Sequence, residues 1–251
     1  MNRRTVYLIA LLAVVLAQAQ TVKVLGRKVT GVGAFCSGTF GFCDEFSSAS
    51  DPPTNWTEVT ATTWINTGTV LTSPTSGTPS VLYRTTDMGS STQYAIMKFV
   101  NNGVGDMGLV LHFVGTNATF ADIAYYSGGT LWWGIISVSS GPAVAFSTDV
   151  GHCTYTAVAG DYMTARITGT GSTRVMELWI STSQPTGAPS GTATCTFTGG
   201  TGSSFTSPAT ASACDQSNCT PPNATADGLH AGVYILGIDS NKVFDNFAAG
   251  P

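Results

Sequence analysis

Residues 162–182 read YMTARITGTGSTRVMELWIST, and this stretch decides the fold class. Apolar side chains recur at every second position on both sides of the Gly169–Gly171 cluster. Because successive side chains of a strand point to opposite faces, the stretch predicts two antiparallel strands, near 162–168 and 174–182, each with one core-facing side. The predicted core side chains are Met163, Ala165, Ile167, Met176, Leu178 and Ile180. Arg166 and Glu177 fall on the opposite face, where we expect them to be direct or diagonal cross-strand neighbours.

The rest of the chain repeats this pattern of short β-branched and aromatic runs between Gly, Pro and Asn turns. Further strands are predicted near 55–60, 63–71, 80–85, 93–100, 107–115, 119–126, 131–138, 142–147, 229–238 and 242–248. No amphipathic helix is indicated after the first twenty residues. We therefore expect an all-β chain folded as a two-sheet antiparallel jelly-roll sandwich, with a long cysteine-bearing loop near 198–228.

Two of the other strands extend the face opposite the core. Alternation in 93–100 places Ala95, Met97 and Phe99 in the core, and in 107–115 it does the same for Leu109, Leu111 and Phe113. If these strands share a sheet with 162–182, its outer face combines aromatic rings with hydrogen-bonding groups. The candidate ligand-binding residues are Trp179, Tyr162, Arg166, Glu177, His112 and Lys98. For the adjacent Trp132 and Trp133, packing is the better interpretation of at least one, since neighbours point to opposite faces.

The first residues predict export. Two arginines precede an apolar run from Val6 to Leu16, and Ala17-Gln18-Ala19 supplies the small residues of a cleavage site. This order is typical of a secretory signal peptide over residues 1–19, and the run is too short for a spanning helix. We expect an N-terminal segment over 20–43, one sandwich domain over 44–251, and a secreted, extracellular or periplasmic location.

The composition of the chain argues against several classes of binding partner. The net charge is -4 and only 10% of residues are charged, which argues against nucleic acid. No later segment is apolar enough to span a membrane. Six cysteines in an exported chain indicate disulfides, with 15 connectivities open. Sequence proximity favours Cys36–Cys43 and Cys214–Cys219, which leaves Cys153–Cys195 as the long-range bond; no CxxC pair supports a zinc site instead.

The two ends of the chain resemble a known superfamily. The stretches concerned are Asp44-Glu45-Phe46, Asn55-Trp56, Trp64 to Leu71, Gly232-Val233-Tyr234 and Phe244 to Gly250. They are similar to the concanavalin A-like lectin/glucanase superfamily, in its laminin-G-like and laminarinase-like forms. The resemblance implies a jelly roll over about residues 44–250 whose first and last strands pair. It also implies a structural calcium ion, held by the Asp245 carboxylate with backbone carbonyls near Asp44 and Gly68; the alternative is that Asp245 accepts backbone hydrogen bonds.

The sequence lacks the catalytic motifs of the enzyme classes considered, which argues against catalysis. Glucanases of this superfamily use Glu-x-Asp-x-x-Glu or a one-residue variant, whereas this chain has only Glu45, Glu58 and Glu177, too far apart in sequence. No nucleophile elbow and no His-Glu-x-x-His motif occurs. His112 beside Arg166 and Glu177 would suit a polyuronate-lyase-like surface, but the expected lyase motifs are absent.

Three functions remain, in order of preference. The first is a secreted, non-catalytic carbohydrate-binding protein, whose partner is a polysaccharide or glycan. The second is a structural surface protein that associates with itself. The third is a polysaccharide lyase or hydrolase. A glycan array and a sedimentation run separate the first two functions. Because aromatic rings stack on the C–H faces of sugars, truncation of Trp179 should weaken sugar binding if the ring is exposed; if the ring is buried under the 198–228 loop, truncation should destabilise the fold by about 3–5 kcal/mol.

Overall fold

The described chain is made of strands, apart from one short 3-10 turn over Phe35–Ser37. The computed structural model describes residues 35–47, 49, 52–59, 64–72, 79–102, 106–113, 121–139, 143–169, 174–198, 204–206, 211–212, 229–236 and 242–251. The strands are β1 (Phe42–Asp44), β2 (Trp56–Glu58), β3 (Ile65–Asn66), β4 (Leu71–Thr72), β5 (Ser80–Arg84), β6 (Gln93–Asn102), β7 (Asp106–Phe113), β8 (Ala121–Ser127), β9 (Thr130–Ser139), β10 (Ala143–Thr154), β11 (Tyr162–Thr168), β12 (Val175–Ser181), β13 (Cys195–Thr198), β14 (Ser204–Thr206), β15 (Ala211–Ser212), β16 (His230–Leu236) and β17 (Lys242–Gly250).

Two antiparallel sheets confirm the predicted sandwich. A nine-stranded sheet has the order β14-β13-β12-β11-β6-β17-β4-β3, with β1 paired to β17 beside β4. An eight-stranded sheet has the order β15-β10-β9-β8-β7-β16-β5-β2. The predicted strands 93–100, 162–168 and 174–182 therefore do lie side by side, as β6, β11 and β12. The strand predicted at 107–115 is β7 of the other sheet.

The core between the sheets is the one that alternation predicts. Met163, Ala165 and Ile167 of β11 and Met176 and Leu178 of β12 have no exposed surface. They belong to a single cluster with inward side chains of the opposite sheet, among them Leu109, Leu111, Leu131, Trp133 and Ile135. Because the Met, Leu and Ile side chains among them are removed from water on folding, each of those contributes about 1.5–3 kcal/mol to stability.

One predicted strand is a hairpin. The expected strand 63–71 is interrupted, since Ile65–Asn66 and Leu71–Thr72 pair with each other as β3 and β4. Between them the Thr67 N–H donates to the Val70 carbonyl at 3.0 Å, and Gly68 has φ +82°. The Asn66 side chain accepts a hydrogen bond from Gly68 N–H at 3.0 Å. This side-chain-to-backbone bond closes an Asx turn, and it explains why the extended run breaks here.

Two predicted disulfides are confirmed. Cys36 and Cys43 are bonded with their Cα atoms 5.6 Å apart, and Cys153 and Cys195 with theirs 6.4 Å apart. The second bond joins β10 of one sheet to β13 of the other. On the chain-entropy model, closing this loop stabilises the fold by about 4 kcal/mol. Cys214 and Cys219 lie outside the described residues.

Two short strands lie within the predicted loop at 198–228. Its described parts include β14, which pairs with β13, and β15, which pairs with β10 at Cys153. Both sheets are thereby extended at the same side of the sandwich. The predicted signal peptide over 1–19 lies outside the described residues, and Phe35–Pro251 forms one compact unit. Among the described residues, no helix has the length and apolar character needed to cross a membrane.

Candidate functional site

Strands β11 and β12 carry the candidate face. Arg166 lies directly opposite Glu177, and Thr164 lies directly opposite Trp179. The predicted neighbour relation of Arg166 and Glu177 is therefore confirmed, in its direct form. All four side chains point away from the core, because Ala165 and Leu178 between them point into it.

Arg166 is held on three sides. Its Nε donates to Glu177 Oε2 at 2.8 Å, and its Nη2 lies 2.6 Å from the same oxygen. Its Nη1 donates to the Pro189 carbonyl at 3.4 Å. The guanidinium carbon lies 5.1 Å from the centroid of the Trp179 ring, within the range of a cation–π contact. The guanidinium thus joins the sheet face, the indole and the chain beyond β12 into one unit.

The chain between β12 and β13 folds back over this face. Besides the Arg166–Pro189 bond, it is fixed where the Thr39 N–H donates to the Thr186 carbonyl at 2.8 Å, and Thr39 forms a parallel bridge with Gly187. Thr39 belongs to the segment closed by the Cys36–Cys43 disulfide. Arg166 of the sheet and Thr39 of the N-terminal segment therefore hold residues 182–194 over this face, and we call these residues the roof.

A cavity of about 340 Å³ lies between the sheet face and this roof. Its wall is formed by Thr164, Trp179, Ile180, Ser181, Ser183, Gln184, Pro185, Thr186, Gly187, Ala188, Pro189 and Ser190. We call it the Trp179 groove. Hydroxyl and amide groups alternate with proline and indole surface, and no member of this wall is charged. The volume is at the lower end of the roughly 300–1,000 Å³ of small-molecule sites.

The indole of Trp179 differs from the other described indoles with buried N–H groups. Trp56 donates to Asp44 at 2.8 Å, Trp64 to the Ser80 hydroxyl at 3.0 Å and Trp133 to Asp122 at 2.9 Å. Trp179 Nε1 is also buried, yet it has no hydrogen-bond partner in the described part of the chain. A buried donor without an acceptor costs about 1–3 kcal/mol, so an acceptor supplied from outside would be favoured here.

Tyr162 and Lys98 lie on the same sheet face but outside the Trp179 groove. The Tyr162 ring is stacked under Phe35 at 5.8 Å and is only 6% exposed. Lys98 lies two strands from Trp179 and pairs with Asp245, at 3.5 Å between Nζ and Oδ2. Phe35 of the N-terminal segment therefore covers the predicted ligand-binding residue Tyr162.

His112 is not on the face at all. It lies in the eight-stranded sheet, fully buried, with Nδ1 3.2 Å from Asp122 Oδ2 and Nε2 bonded to the Ser91 carbonyl. The expected alternation fails because His112 has φ +53° and the pairing of β7 with β16 shifts register beside it. This β-bulge turns Phe113 to the outer side with Val110 instead of into the core. The lyase-like grouping of His112 with Arg166 and Glu177 is therefore not assembled.

Asp245 does not have the surroundings of a calcium ligand. Its carboxylate faces the Lys98 ammonium, while Asp44 uses its two oxygens to accept from Phe46 N–H and Trp56 Nε1. Burial raises the pKa of Asp245 above the ordinary value, and Lys98 offsets part of that rise. No group of three or more His, Cys, Asp or Glu side chains suited to a metal ion occurs in the described ranges. A cation already faces the one predicted carboxylate ligand, so the residues present do not fit calcium here.

The roof residues were not anticipated from the sequence. Thr164 and Trp179 were identified by strand alternation, but Gln184, Pro185 and Pro189 carried no periodic pattern. The available signal was the spacing of Pro185, Gly187 and Pro189 immediately after a strong strand, which indicates an ordered turn-rich loop. Only the tertiary fold shows that this loop returns over the same strand.

Comparison with known proteins gives likenesses of fold alone. No family model matches the chain, and no curated protein sequence does. A mutant of the GH43 protein BlXynB from Bacillus licheniformis is similar over 82% of this chain and 38% of its own, at 15% identity and a TM-score of 0.44. The carbohydrate-binding module CBM66 from Bacillus subtilis gives 78% and 92%, at 11% identity and a TM-score of 0.40. The Ca2+-bound exoplasmic/lumenal domain of VIP36 gives 82% and 87%, at 8% identity and a TM-score of 0.43. Values this low assign no family and no ligand to this chain.

Proposed function

We propose that this protein is an exported, non-catalytic carbohydrate-binding protein that holds its ligand in the Trp179 groove. The observation that carries the proposal is the cavity wall itself. An indole ring and a set of uncharged hydroxyl and amide groups surround about 340 Å³. A sugar presents C–H faces to aromatic surface and hydroxyl groups to hydrogen-bonding side chains, so its chemistry matches both halves of this wall.

The indole N–H supports the same proposal. Trp179 Nε1 is enclosed without an acceptor. A ligand hydroxyl in the groove would supply this acceptor if the indole N–H were turned toward it. Arg166 holds the ring at 5.1 Å from its guanidinium carbon, and Glu177 holds Arg166. The ring is thereby oriented before the ligand arrives, which lowers the entropy lost on binding.

The fixed position of the roof also supports the proposal that the groove binds a ligand. Thr39 and Arg166 fix the loop at Thr186 and Pro189, on two sides of the cavity. A groove with a preset shape binds with less ordering cost than one that must close around its ligand. Export is supported by the signal-like first residues and by the two disulfides, which persist in oxidising compartments. The pairing of β1 with β17 is in keeping with the resemblance of the chain ends to concanavalin A-like domains.

Affinity electrophoresis against soluble polysaccharides tests the proposal. Trp179→Ala should weaken retention at least about tenfold, as truncation of a central aromatic contact does. The fold should survive, with a loss of about 1 kcal/mol from the broken Arg166 contact. Trp132→Ala is the matched control, because Trp132 is a partly exposed indole on the other sheet, stacked on Tyr125 at 6.0 Å.

Three results would count against the proposal. One is unchanged retention of the Trp179→Ala protein, and another is equal loss in Trp132→Ala. The third is retention by no polysaccharide together with large species in sedimentation velocity. That last outcome would favour the self-associating surface protein instead.

A further inference from the structure

The charges beside the Trp179 groove are compensated within the protein. Arg166 is the cationic side chain that contacts the indole, and Glu177 binds it through Nε and Nη2 at 2.8 and 2.6 Å. The pair is partly exposed, at 32% for Arg166 and 21% for Glu177. Arg166 contacts Trp179 and Pro189, which both line the groove, so a ligand there lies near the guanidinium. The Nη1 group of Arg166 also donates a hydrogen bond to the Pro189 carbonyl, at 3.4 Å.

This arrangement has a consequence for ligand charge. A carboxylate that enters a half-buried groove loses water, and it recovers that free energy only if it meets an uncompensated cation. The wall of the Trp179 groove offers none, because its side chains are uncharged and Arg166 is already neutralised by Glu177. A neutral sugar has no such charge to desolvate and still gains the hydroxyl contacts.

We infer that Glu177 is a specificity-determining residue which, by neutralising Arg166, restricts the Trp179 groove to neutral saccharides and excludes uronic acids. The inference rests on the proposed function, since it names the ligand class of the same groove. Glu177 is itself not part of the cavity wall. It acts through Arg166, and its removal should therefore change ligand class without removing the groove.

The test uses the full chain and two sets of probes. The neutral probes are xylan, β-glucan and galactan, and the acidic probes are alginate and polygalacturonate. The wild-type protein should be retained by at least one neutral polymer with little dependence on salt, and by neither acidic one. For Glu177→Gln, the quantity measured is the ratio of acidic-polymer to neutral-polymer affinity, which should rise about tenfold at low salt. Raising the salt to about 0.3 M should reduce that gain, because screening weakens the attraction between partly exposed charges.

Two further variants separate a specific effect from a general one. Asp245→Asn removes the same charge from the same sheet face but releases Lys98, which lies outside the groove. It should gain no acidic binding. Arg166→Gln combined with Glu177→Gln restores a groove without net charge and should lose the gain. Circular dichroism melts confirm that each variant is folded.

The outcomes distinguish this inference from the proposed function. Wild-type binding of alginate or polygalacturonate at an affinity equal to the neutral polymers would overturn the inference and leave carbohydrate binding standing. An equal gain in Asp245→Asn and Glu177→Gln would also overturn it, because net charge alone would then explain the change. Retention by no probe of either class, in the wild type and in Glu177→Gln, would overturn the proposed function and the inference with it.

Discussion

Asp122 supports the sharpest stability prediction, because it is a fully buried carboxylate at the centre of a polar cluster. It accepts the Trp133 indole N–H at 2.9 Å and lies 3.1 Å from Arg174 Nε as an ion pair. Arg174 has no exposed side-chain surface either, and His112 completes the cluster. Since the Ser91 carbonyl can only accept, His112 Nε2 donates to it, and His112 Nδ1 lies 3.2 Å from Asp122 Oδ2.

Asp122→Asn keeps the shape of the side chain and removes its charge. Arg174 then loses its ion pair with Asp122, and breaking one side of a buried ion pair typically costs about 3–5 kcal/mol. For a domain of this size, roughly 2–4 °C in Tm corresponds to each kcal/mol, so Tm should fall by about 6–20 °C. Urea denaturation gives the free energy of unfolding, and an unchanged m-value shows that both states kept their compactness.

Two companion variants make the result interpretable. Asp87→Asn is the control, because Asp87 is exposed and its carboxylate accepts only the local Gly89 N–H in the described structure. It should change stability by less than about 1 kcal/mol. Adding Arg174→Met to Asp122→Asn removes the buried cation of the pair as well and should recover part of the loss, since the effects of contacting residues are not additive. A loss below about 1 kcal/mol for Asp122→Asn, or no recovery in the double variant, would refute this reasoning.

Two other predictions concern the N-terminal segment and calcium. Replacing Cys36 and Cys43 with alanine should lower the free energy of unfolding by about 2–3 kcal/mol on the chain-entropy model. It should also weaken polysaccharide retention, because Thr39 no longer holds the roof. Unchanged retention in a folded double variant would show that the roof needs no such anchor. Chelation with EDTA should leave Tm unchanged, because Asp245 faces Lys98, whereas a Tm that falls with EDTA and recovers with added calcium would restore the ion suggested by the resemblance.

The strands without bulges could be predicted from the sequence, because their patterns of apolar and polar residues are local. The strand predicted over 162–168 is β11 to the residue, and its alternation fixes which side chains enter the core. The direct pairing of Arg166 with Glu177 follows from the same alternation once the two strands are joined by a short turn. Period-two patterning carries this information because one face of each strand is buried.

The β-bulges could not be predicted from the sequence. The strand predicted over 142–147 is β10, which extends to Thr154 through two irregularities, near Thr148 and near Gly151. His112 likewise lies in a left-handed conformation that no pattern of neighbouring residues announces. A bulge shifts every later side chain to the opposite face, so one missed residue misplaced both His112 and Phe113.

Only part of the candidate site could be predicted from the sequence, because the rest depends on contacts between distant segments. Trp179 and Thr164 lie on strands whose faces the sequence predicts, but the roof of the groove depends on contacts distant in sequence. Thr39 and Thr186 are separated by 147 positions. Tyr162 was placed correctly on its strand, and only the fold shows that Phe35 covers it. Covering segments of this kind are decided by tertiary packing rather than by local propensity.

The most direct test of the account is a nitrogen-15 NMR titration of the tryptophan indoles. The chain contains five tryptophans, and the side-chain N–H of each gives a resolved signal that single Trp→Phe variants assign. Titration with short oligosaccharides of the retained neutral polymer should move the Trp179 signal, and those of Trp56, Trp64 and Trp133 should stay in place because their N–H groups are bonded inside the protein. A stationary Trp179 signal, with movement at Trp132 or at none of the five, would contradict binding in the Trp179 groove.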